Sequence, residues 1–244
     1  MPHAPPSGLR DGLSGRADKQ ALVDWVFDRV ADRYDLGNDI MSAGWHTRWK
    51  RRLVRQADVG PHQRVLDIAC GTGDITWMLA DRGATVVGTD INPHMLRLAE
   101  AKRRPTGGDV SFIEADAAAL PFDDDSFDAV TCVYAGRGFP DIPAVLREAH
   151  RVLKPGGHYW HLDFARPQNR AWDRVYRGYM LASGAVLGTL LHGSPRSYMY
   201  IPMSMRHYAG QHWLERRMVD AGFEAQTWTT VGQIMAFNHG VKQA

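Results

Sequence analysis

Val65–Leu66–Asp67–Ile68–Ala69–Cys70–Gly71–Thr72–Gly73–Asp74 is the stretch that decides how the chain folds. An apolar run that reads as a strand enters a turn with two closely spaced glycines, and a helical pattern follows at once. Glycine adopts backbone conformations closed to other residues and lets a ligand approach the main chain, while a helix start offers N–H groups without partners. A strand, a glycine turn and a helix in this order open an α/β sheet of the kind that binds ligands at the carboxyl ends of its strands.

Outward from this unit the alternation continues. Apolar runs at Val65–Ala69, Ala84–Thr89, Val110–Ile113, Ala129–Val133 and Tyr159–Phe164 alternate with candidate helices at about 74–82, 93–103 and 141–153. One more helix, about 211–221, ends at Gly222, and two short strands near 223–230 and 233–241 turn at Val231–Gly232. The pattern predicts a doubly wound α/β fold with a mostly parallel, seven-stranded sheet. Upstream, Leu22, Val23, Val26, Phe27, Val30 and Tyr34 share one side of a 3.6-residue repeat, which predicts an amphipathic helix over 19–34. Arg48–Gln56 reads as a second helix, whose Arg48, Lys50, Arg51, Arg52 and Arg55 form either a solvated face or a basic edge near anionic headgroups. Residues 1–18, rich in Pro and Gly, read as a flexible tail, 19–244 as a single domain, and 166–210 as an insertion that serves as a substrate lid.

The totals exclude several classes. With 244 residues the chain can bury a substantial core. Its 44% hydrophobic and 23% charged residues are ordinary for a globular protein, and a net charge of +2 does not suggest a nucleic-acid partner. Two cysteines, Cys70 and Cys132, imply no disulfide framework, so a reducing cytoplasm is the expected location. The start carries no apolar run of the secretory kind, and no stretch approaches the roughly 18 apolar residues of a membrane span. Any membrane contact is therefore expected to be peripheral. No His, Cys and acid cluster has metal-ligand spacing, so no metal site is expected.

The identity of the ligand is read from the acids. A pyrophosphate-binding fingerprint needs a third glycine, but Thr76 stands at that position, and Asp67 and Asp74 flank the turn. Carboxylates repel pyrophosphate and suit an ammonium group. Asp90 closes the second strand, where an acid accepts from ribose hydroxyls. Asp116, after the third strand, is placed to accept from an adenine amino group. Three acids at three successive strand ends point to adenosine joined to a cationic amino acid, that is, to S-adenosyl-L-methionine.

More narrowly, the chain from about Ala21 resembles the ubiquinone/menaquinone biosynthesis C-methyltransferases, class I methyltransferases that use this cofactor. The resemblance rests on Tyr34–Asp35–Leu36–Gly37–Asn38 with Ser42, Gly44, His46 and Trp49, on the glycine loop, and on Asp90–Ile91–Asn92. It extends to Ala118–Ala119–Leu120–Pro121–Phe122, Arg151–Val152–Leu153–Lys154–Pro155–Gly156–Gly157, Asp220–Ala221–Gly222–Phe223 and His239–Gly240–Val241–Lys242. It implies cofactor contacts at Asp67, Gly71, Thr72, Gly73, Asp90, Ile91, Asp116, Ala117 and Val133, and methyl transfer to a ring carbon of a polyprenyl hydroquinone. The chain departs from the family at Gly37 (for Met), Val133 (for a Ser), Gly138 (for the Asn of Phe-Gly-x-Arg-Asn) and Asp163–Phe164–Ala165 (for Glu-x-Ser). These departures concern the acceptor more than the reaction class.

For the acceptor side, Arg137 is the leading candidate, either stabilising a phenolate or orienting a water that takes its proton. Its pKa, above about 12, excludes it as an ordinary base. Tyr34 and His46 are second candidates that also suit capping or packing roles, His161 reads as structural, and nothing fixes where His207 points. The Met- and Tyr-rich insertion, with Trp172, Tyr176, Tyr179, Met180, Met203 and Met205, suits either core packing or a lipophilic acceptor drawn from a membrane surface. A homodimer is a further expectation for partners. Readings left open are an O- or N-methyltransferase acting on a phenol, phosphatidylethanolamine or a secondary metabolite, and a non-catalytic scaffold that binds the cofactor.

Overall fold

The computed structural model describes residues 34–42, 44–193, 202–205, 208 and 210–243. The expected tail, the amphipathic helix up to residue 33, Tyr198, Tyr200, Ile201 and His207 lie outside the described residues. In chain order the elements are α1 (Tyr34–Ser42), α2 (Trp45–Ala57), β1 (Arg64–Ile68), α3 (Asp74–Ala80), β2 (Thr85–Asp90), α4 (Pro93–Ala101), β3 (Val110–Glu114), β4 (Phe127–Val133), α5 (Ile142–Val152), β5 (Leu153–Phe164), α6 (Arg170–His192), α7 (Gln211–Asp220), β6 (Phe223–Thr229) and β7 (Met235–Lys242).

The strands form one seven-stranded sheet in the order β3-β2-β1-β4-β5-β7-β6. The first five run parallel to one another, and β7 runs antiparallel to both β5 and β6. This is the predicted doubly wound α/β fold. The chain first winds from β1 to β2 and β3, then returns to the other side of β1 at β4. The carboxyl ends of β1 and β4 therefore border the crevice where such sheets bind ligands.

Helices cover both faces. On one, Leu66, Ile68, Val130, Cys132 and Tyr159 pack against Val145, Leu146 and Ala149 of α5 and Leu214 and Met218 of α7. On the other, Val65, Val86 and Ala129 meet Ile75 and Leu79 of α3 and Val54 of α2. Leu53 of α2 joins Trp160, Leu162, Met235 and Phe237 on the same side. Burial on both faces explains why β1 and β4 read as apolar runs rather than as alternating patterns.

Two features depart from the sequence-based outline. Strand β5 begins at Leu153, directly after α5, rather than at Tyr159. Its partner register jumps from Phe127↔Leu153 to Ala129↔His158, so Lys154–Gly157 form an irregularity that the Pro-Gly-Gly sequence had disguised as a loop. The insertion contains the 23-residue helix α6, capped at its start by Asn169, whose side chain accepts from the Ala171 and Trp172 N–H groups, and closed by Gly193 at φ 66°.

Candidate active site

The turn after β1 is built from left-handed residues. Ala69, Gly71 and Gly73 have φ of 51°, 55° and 77°. The two glycines serve different purposes. A Cβ on Gly73 would lie 2.9 Å from the Ala99 Cβ and 3.2 Å from the Phe112 ring, so glycine is required for α3 to pack against α4 and β3. A Cβ on Gly71 would meet nothing within 4 Å. The main chain at Gly71 therefore borders open space on the ligand edge of the sheet, as a cofactor cradle needs.

Asp90 sets the position of this turn. Its Oδ2 accepts from the Gly71 N–H at 2.8 Å and its Oδ1 from the Asn92 N–H at 2.9 Å. Asn92 in turn caps α4, accepting from His94 N–H at 2.8 Å and Met95 N–H at 3.2 Å, with Pro93 in the first helical turn. Ile91 is exposed beside Asp90. The Ala115 N–H donates to the Asp90 carbonyl at 3.1 Å, which brings the end of β3 alongside the end of β2. Asp116 follows there, exposed, its Oδ1 accepting from the Ala118 N–H at 2.9 Å, while Ala117 is buried in the core behind it. Val133 ends β4 across the crevice. The predicted cofactor residues thus gather at adjoining carboxyl ends of β1, β2, β3 and β4.

The other two acids are placed differently from the simple ammonium-binding picture. Asp67 is 1% exposed. Its Oδ2 accepts from the Thr76 hydroxyl at 2.7 Å and its Oδ1 from the Thr131 hydroxyl at 2.8 Å, tying β1 to α3 and β4. Burial pushes its carboxyl up to about 6, against the lowering effects of the two hydroxyls and Lys50. Asp74 lies between two lysines, Lys50 at 2.8 Å and Lys102 at 2.7 Å. Burial opposes its charge, but the lysines outweigh that effect and hold its carboxyl down at about 2. Lys102 also donates to the Thr72 hydroxyl at 3.0 Å.

Known proteins resemble this chain in sequence and in fold. Residues 15–242 match the model of the ubiE/COQ5 methyltransferase family. The chain belongs to that family. It is 40% identical over 234 residues, 93% of each chain, to ubiquinone/menaquinone biosynthesis C-methyltransferases UbiE from Shewanella putrefaciens and Shewanella oneidensis. Its backbone resembles a solved SAM-dependent methyltransferase from Methanosarcina mazei, with a TM-score of 0.58 and 26% identity over 78% of this chain and 97% of that one. A putative methyltransferase from Bacillus halodurans shares the fold, with a TM-score of 0.56 and 21% identity over 80% and 99% of the two chains. The chain is thus a methyltransferase, and S-adenosylmethionine is its cofactor.

The residues that the sequence offered for the acceptor side fall in two places. Arg137 is a buried residue, not a surface arginine: its Nε donates to Asp163 Oδ1 at 2.7 Å and its Nη1 to the Ser204 hydroxyl at 2.7 Å. Its guanidinium carbon lies 4.7 Å from the centre of the Phe164 ring. Asp163 is the residue where the family has Glu, so the departure lies in the partner that fixes Arg137. His161 is buried beneath this pair, its Nε2 3.9 Å from Asp163 Oδ2, and burial pushes its ring down to about 4. His46 lies at the junction of α1 and α2 instead. Its Nδ1 is 2.9 Å from the Ser42 hydroxyl and its Nε2 3.4 Å from that of Thr47, contacts that tie the end of α1 to the start of α2. Tyr34 begins α1, and its side chain lies outside the described residues.

Sequence reasoning overlooked Lys50 and Lys102 as partners of Asp74, and Thr76 and Thr131 as partners of Asp67. One signal was present. Lys50 precedes Leu53, Val54 and Ala57 by three, four and seven residues, which places it on the apolar face of α2 rather than among the solvated arginines.

Two outcomes follow from the loop. Gly71→Ala should fold with a loss of only about 1 kcal/mol for a left-handed alanine, yet bind S-adenosylmethionine at least about ten-fold more weakly. Gly73→Ala should lose about 3 kcal/mol or more through its clash with Ala99. Equal unfolding midpoints for the two variants would contradict this division. For Asp67, the raised carboxyl makes the ionised form a burden on the folded state. The native state is therefore favoured below the ordinary value of 3.8, and this contribution is lost as pH rises through about 6. Asp67→Asn should be more stable than the parent by up to about 3 kcal/mol at pH 7.5, with the gap closing near pH 4. Denaturant titrations of both proteins at the two pH values check the sign.

Proposed function

We propose that the chain transfers the methyl group of S-adenosylmethionine to a ring carbon of a polyprenyl hydroquinone, demethylmenaquinol or a polyprenyl benzoquinol, in quinone biosynthesis. The observation that carries the acceptor class is the match over 93% of both chains with proteins named as ubiquinone/menaquinone C-methyltransferases, which spans the acceptor half as well as the donor half. The bound cofactor supplies an activated methyl on a sulfonium. The chain must bring a nucleophilic carbon in line with that methyl, at about 3 Å, and favour ionisation of the neighbouring hydroxyl.

Arg137 suits the second task. It stands just beyond β4, on the same sheet edge as the donor loop, and Asp163 and Ser204 fix its guanidinium. In a water-poor site a fixed cation stabilises developing phenolate charge more than an exposed one does. Asp163 positions Arg137, and the buried counter-charge keeps the arginine from being an isolated cation. Helix α6, at the centre of the expected lid 166–210, supplies an apolar wall nearby. Tyr176, Met180 and Leu187 cluster with Met41 of α1, and Phe164 and Met205 pack against them. The Tyr179 hydroxyl donates to the Met41 carbonyl at 2.9 Å, joining α6 to α1.

The outer surface of the same helices fits a peripheral membrane contact. Val175, Tyr179, Val186 and Leu190 are exposed along α6, at spacings of four, seven and four residues that keep them on one side. Leu36 and Ile40 of α1 and Trp45 of α2 are exposed as well, and Arg48, Arg51, Arg52 and Arg55 of α2 are all solvent-facing. Exposed apolar side chains together with arginines, such as Arg48 with its guanidinium carbon 4.8 Å from the Trp45 ring centre, match an anionic lipid surface. No helix among the described residues is long and apolar enough to cross a membrane. A polyprenyl acceptor partitions into lipid, so surface docking would bring the active site to its substrate.

The deciding experiment is S-adenosylhomocysteine release with a short-chain demethylmenaquinol, a demethylated benzoquinol and phosphatidylethanolamine as separate acceptors under reducing conditions. Turnover with a quinol and a new methyl on ring carbon by NMR is expected; turnover on the amine alone would overturn the proposal. Arg137→Ala should cut kcat by about a hundred-fold or more with little change in cofactor affinity, and lose about 3–5 kcal/mol because Asp163 is left buried without its cation. The double variant Arg137→Met, Asp163→Leu should recover stability but not turnover, and recovery of both would remove the pair from the mechanism. Val186→Glu with Leu190→Glu should release the protein from phosphatidylglycerol vesicles in sedimentation assays, whereas unchanged sedimentation would exclude this surface.

A further inference from the structure

Lys50 has a place in the molecule that neither the family match nor the motif reading explains. It sits on the apolar face of α2, 6% exposed, with Leu53 and Val54 in the next turn. Its stem runs along the packed face while its Nζ reaches the ligand edge of the sheet, the usual way a long cationic side chain is accommodated. There it meets two elements at once. Its Nζ is 2.8 Å from Asp74 Oδ2, at the start of α3 directly after the glycine turn. It also lies 6.0 Å from the centre of the Tyr134 ring, on the residue that follows β4. Lys50 is therefore held between the β1 turn and the end of β4, the two borders of the crevice.

The charges around that point are unequal. Asp74 faces two ammonium groups, Lys50 and Lys102, so the three side chains together carry one positive charge more than they cancel. Asp67, the acid nearest in the chain, is enclosed by the Thr76 and Thr131 hydroxyls and is 1% exposed. The turn that the sequence presented as acidic thus offers a corner with two ammonium groups, Lys50 and Lys102, to whatever enters between β1 and β4, while Asp67 is withdrawn behind the Thr76 and Thr131 hydroxyls. Of the cofactor's charged groups only the α-carboxylate of the methionine portion complements such a corner.

We propose that Lys50 receives the α-carboxylate of S-adenosylmethionine, with Asp74 holding its Nζ in place and Lys102 reinforcing the local charge. The inference rests on the cofactor assignment and adds the residue that distinguishes the full amino-acid tail from its decarboxylated form. A basic side chain on the helix before the sheet also links cofactor binding to α2, and through it to the α1–α2 junction at His46.

The test compares ligands that differ only at the carboxylate. Isothermal titration of the wild-type protein should show S-adenosylmethionine binding at least about ten-fold tighter than decarboxylated S-adenosylmethionine, the size of a charge-assisted contact. Lys50→Met should remove most of that difference, weakening S-adenosylmethionine about ten-fold while leaving the decarboxylated ligand and 5′-methylthioadenosine within about two-fold of wild type. Lys50→Arg should restore discrimination in part. Equal affinity of the wild-type protein for the two ligands overturns the proposal, whether or not the variant folds. A uniform loss across all three ligands in Lys50→Met also overturns it, because that pattern belongs to a residue that only anchors α2 to α3. Absence of binding to any of the three by wild type would refute the cofactor assignment itself, a result separable from both.

Discussion

The carboxylate of Asp67 is the constraint on which the donor side of this molecule depends. It is buried at the end of β1, and its two oxygens accept hydroxyl bonds from Thr76 on α3 and Thr131 on β4. Those bonds join the strand that carries the glycine turn to the helix beyond it and to the strand across the crevice. Removing a carboxylate from water carries a large penalty, which its upward-shifted protonation reflects. The compensation is geometric: with β1, α3 and β4 fixed to one group, the left-handed backbone of Ala69, Gly71 and Gly73 has little freedom to relax. Such strain persists only where the surroundings determine it.

From this anchor the remaining acids acquire separate roles. Asp90 holds the turn from the side by accepting from Gly71, and Asp74 is neutralised by two lysines from α2 and the end of α4. Three residues that look alike as letters in a motif are therefore a buried brace, an edge acceptor and the centre of a cationic group. Counting carboxylates correctly led to an adenosine-containing cofactor with an amino-acid tail, but assigning each carboxylate to a ligand atom required knowing its neighbours.

The elements differ in how far they were legible for the same reason. Strands β1 and β4 are buried on both faces and read as continuous apolar runs, and α4 announces itself through Asn92–Pro93. Helix α6 carried equally local signals, Asn169 and Gly193, yet its apolar residues face two directions: Tyr176 and Met180 inward, Val175 and Tyr179 outward. No single stripe survives that division, so the segment read as a Met- and Tyr-rich insertion rather than a helix. In the turn after β1, Gly71 and Gly73 stood out because the backbone conformation that needs glycine is local, at φ 55° and 77°. Lys50 and Asp74 are separated by 24 positions, and their pairing exists only once α2 lies against α3.

The departures from the family pattern also gain a physical meaning. Asp163 and Gly138 stand within one cluster around Arg137 rather than being scattered over the molecule. The shorter acid still reaches the guanidinium at 2.7 Å, and its Oδ2 accepts from the Arg137 backbone N–H at 3.3 Å. That double contact draws the turn after β4 onto β5. The close approach is sustained by Gly136, where a Cβ would lie 2.6 Å from the His161 ring and could not be accommodated without movement. A glycine, a buried histidine and a shortened acid thus form one packing solution for placing the arginine. The donor loop needs none of these adjustments because Asp67, Thr76 and Thr131 brace it independently. Each cluster is held by its own contacts, so the residues around Arg137 can differ from the family pattern without loosening the turn after β1.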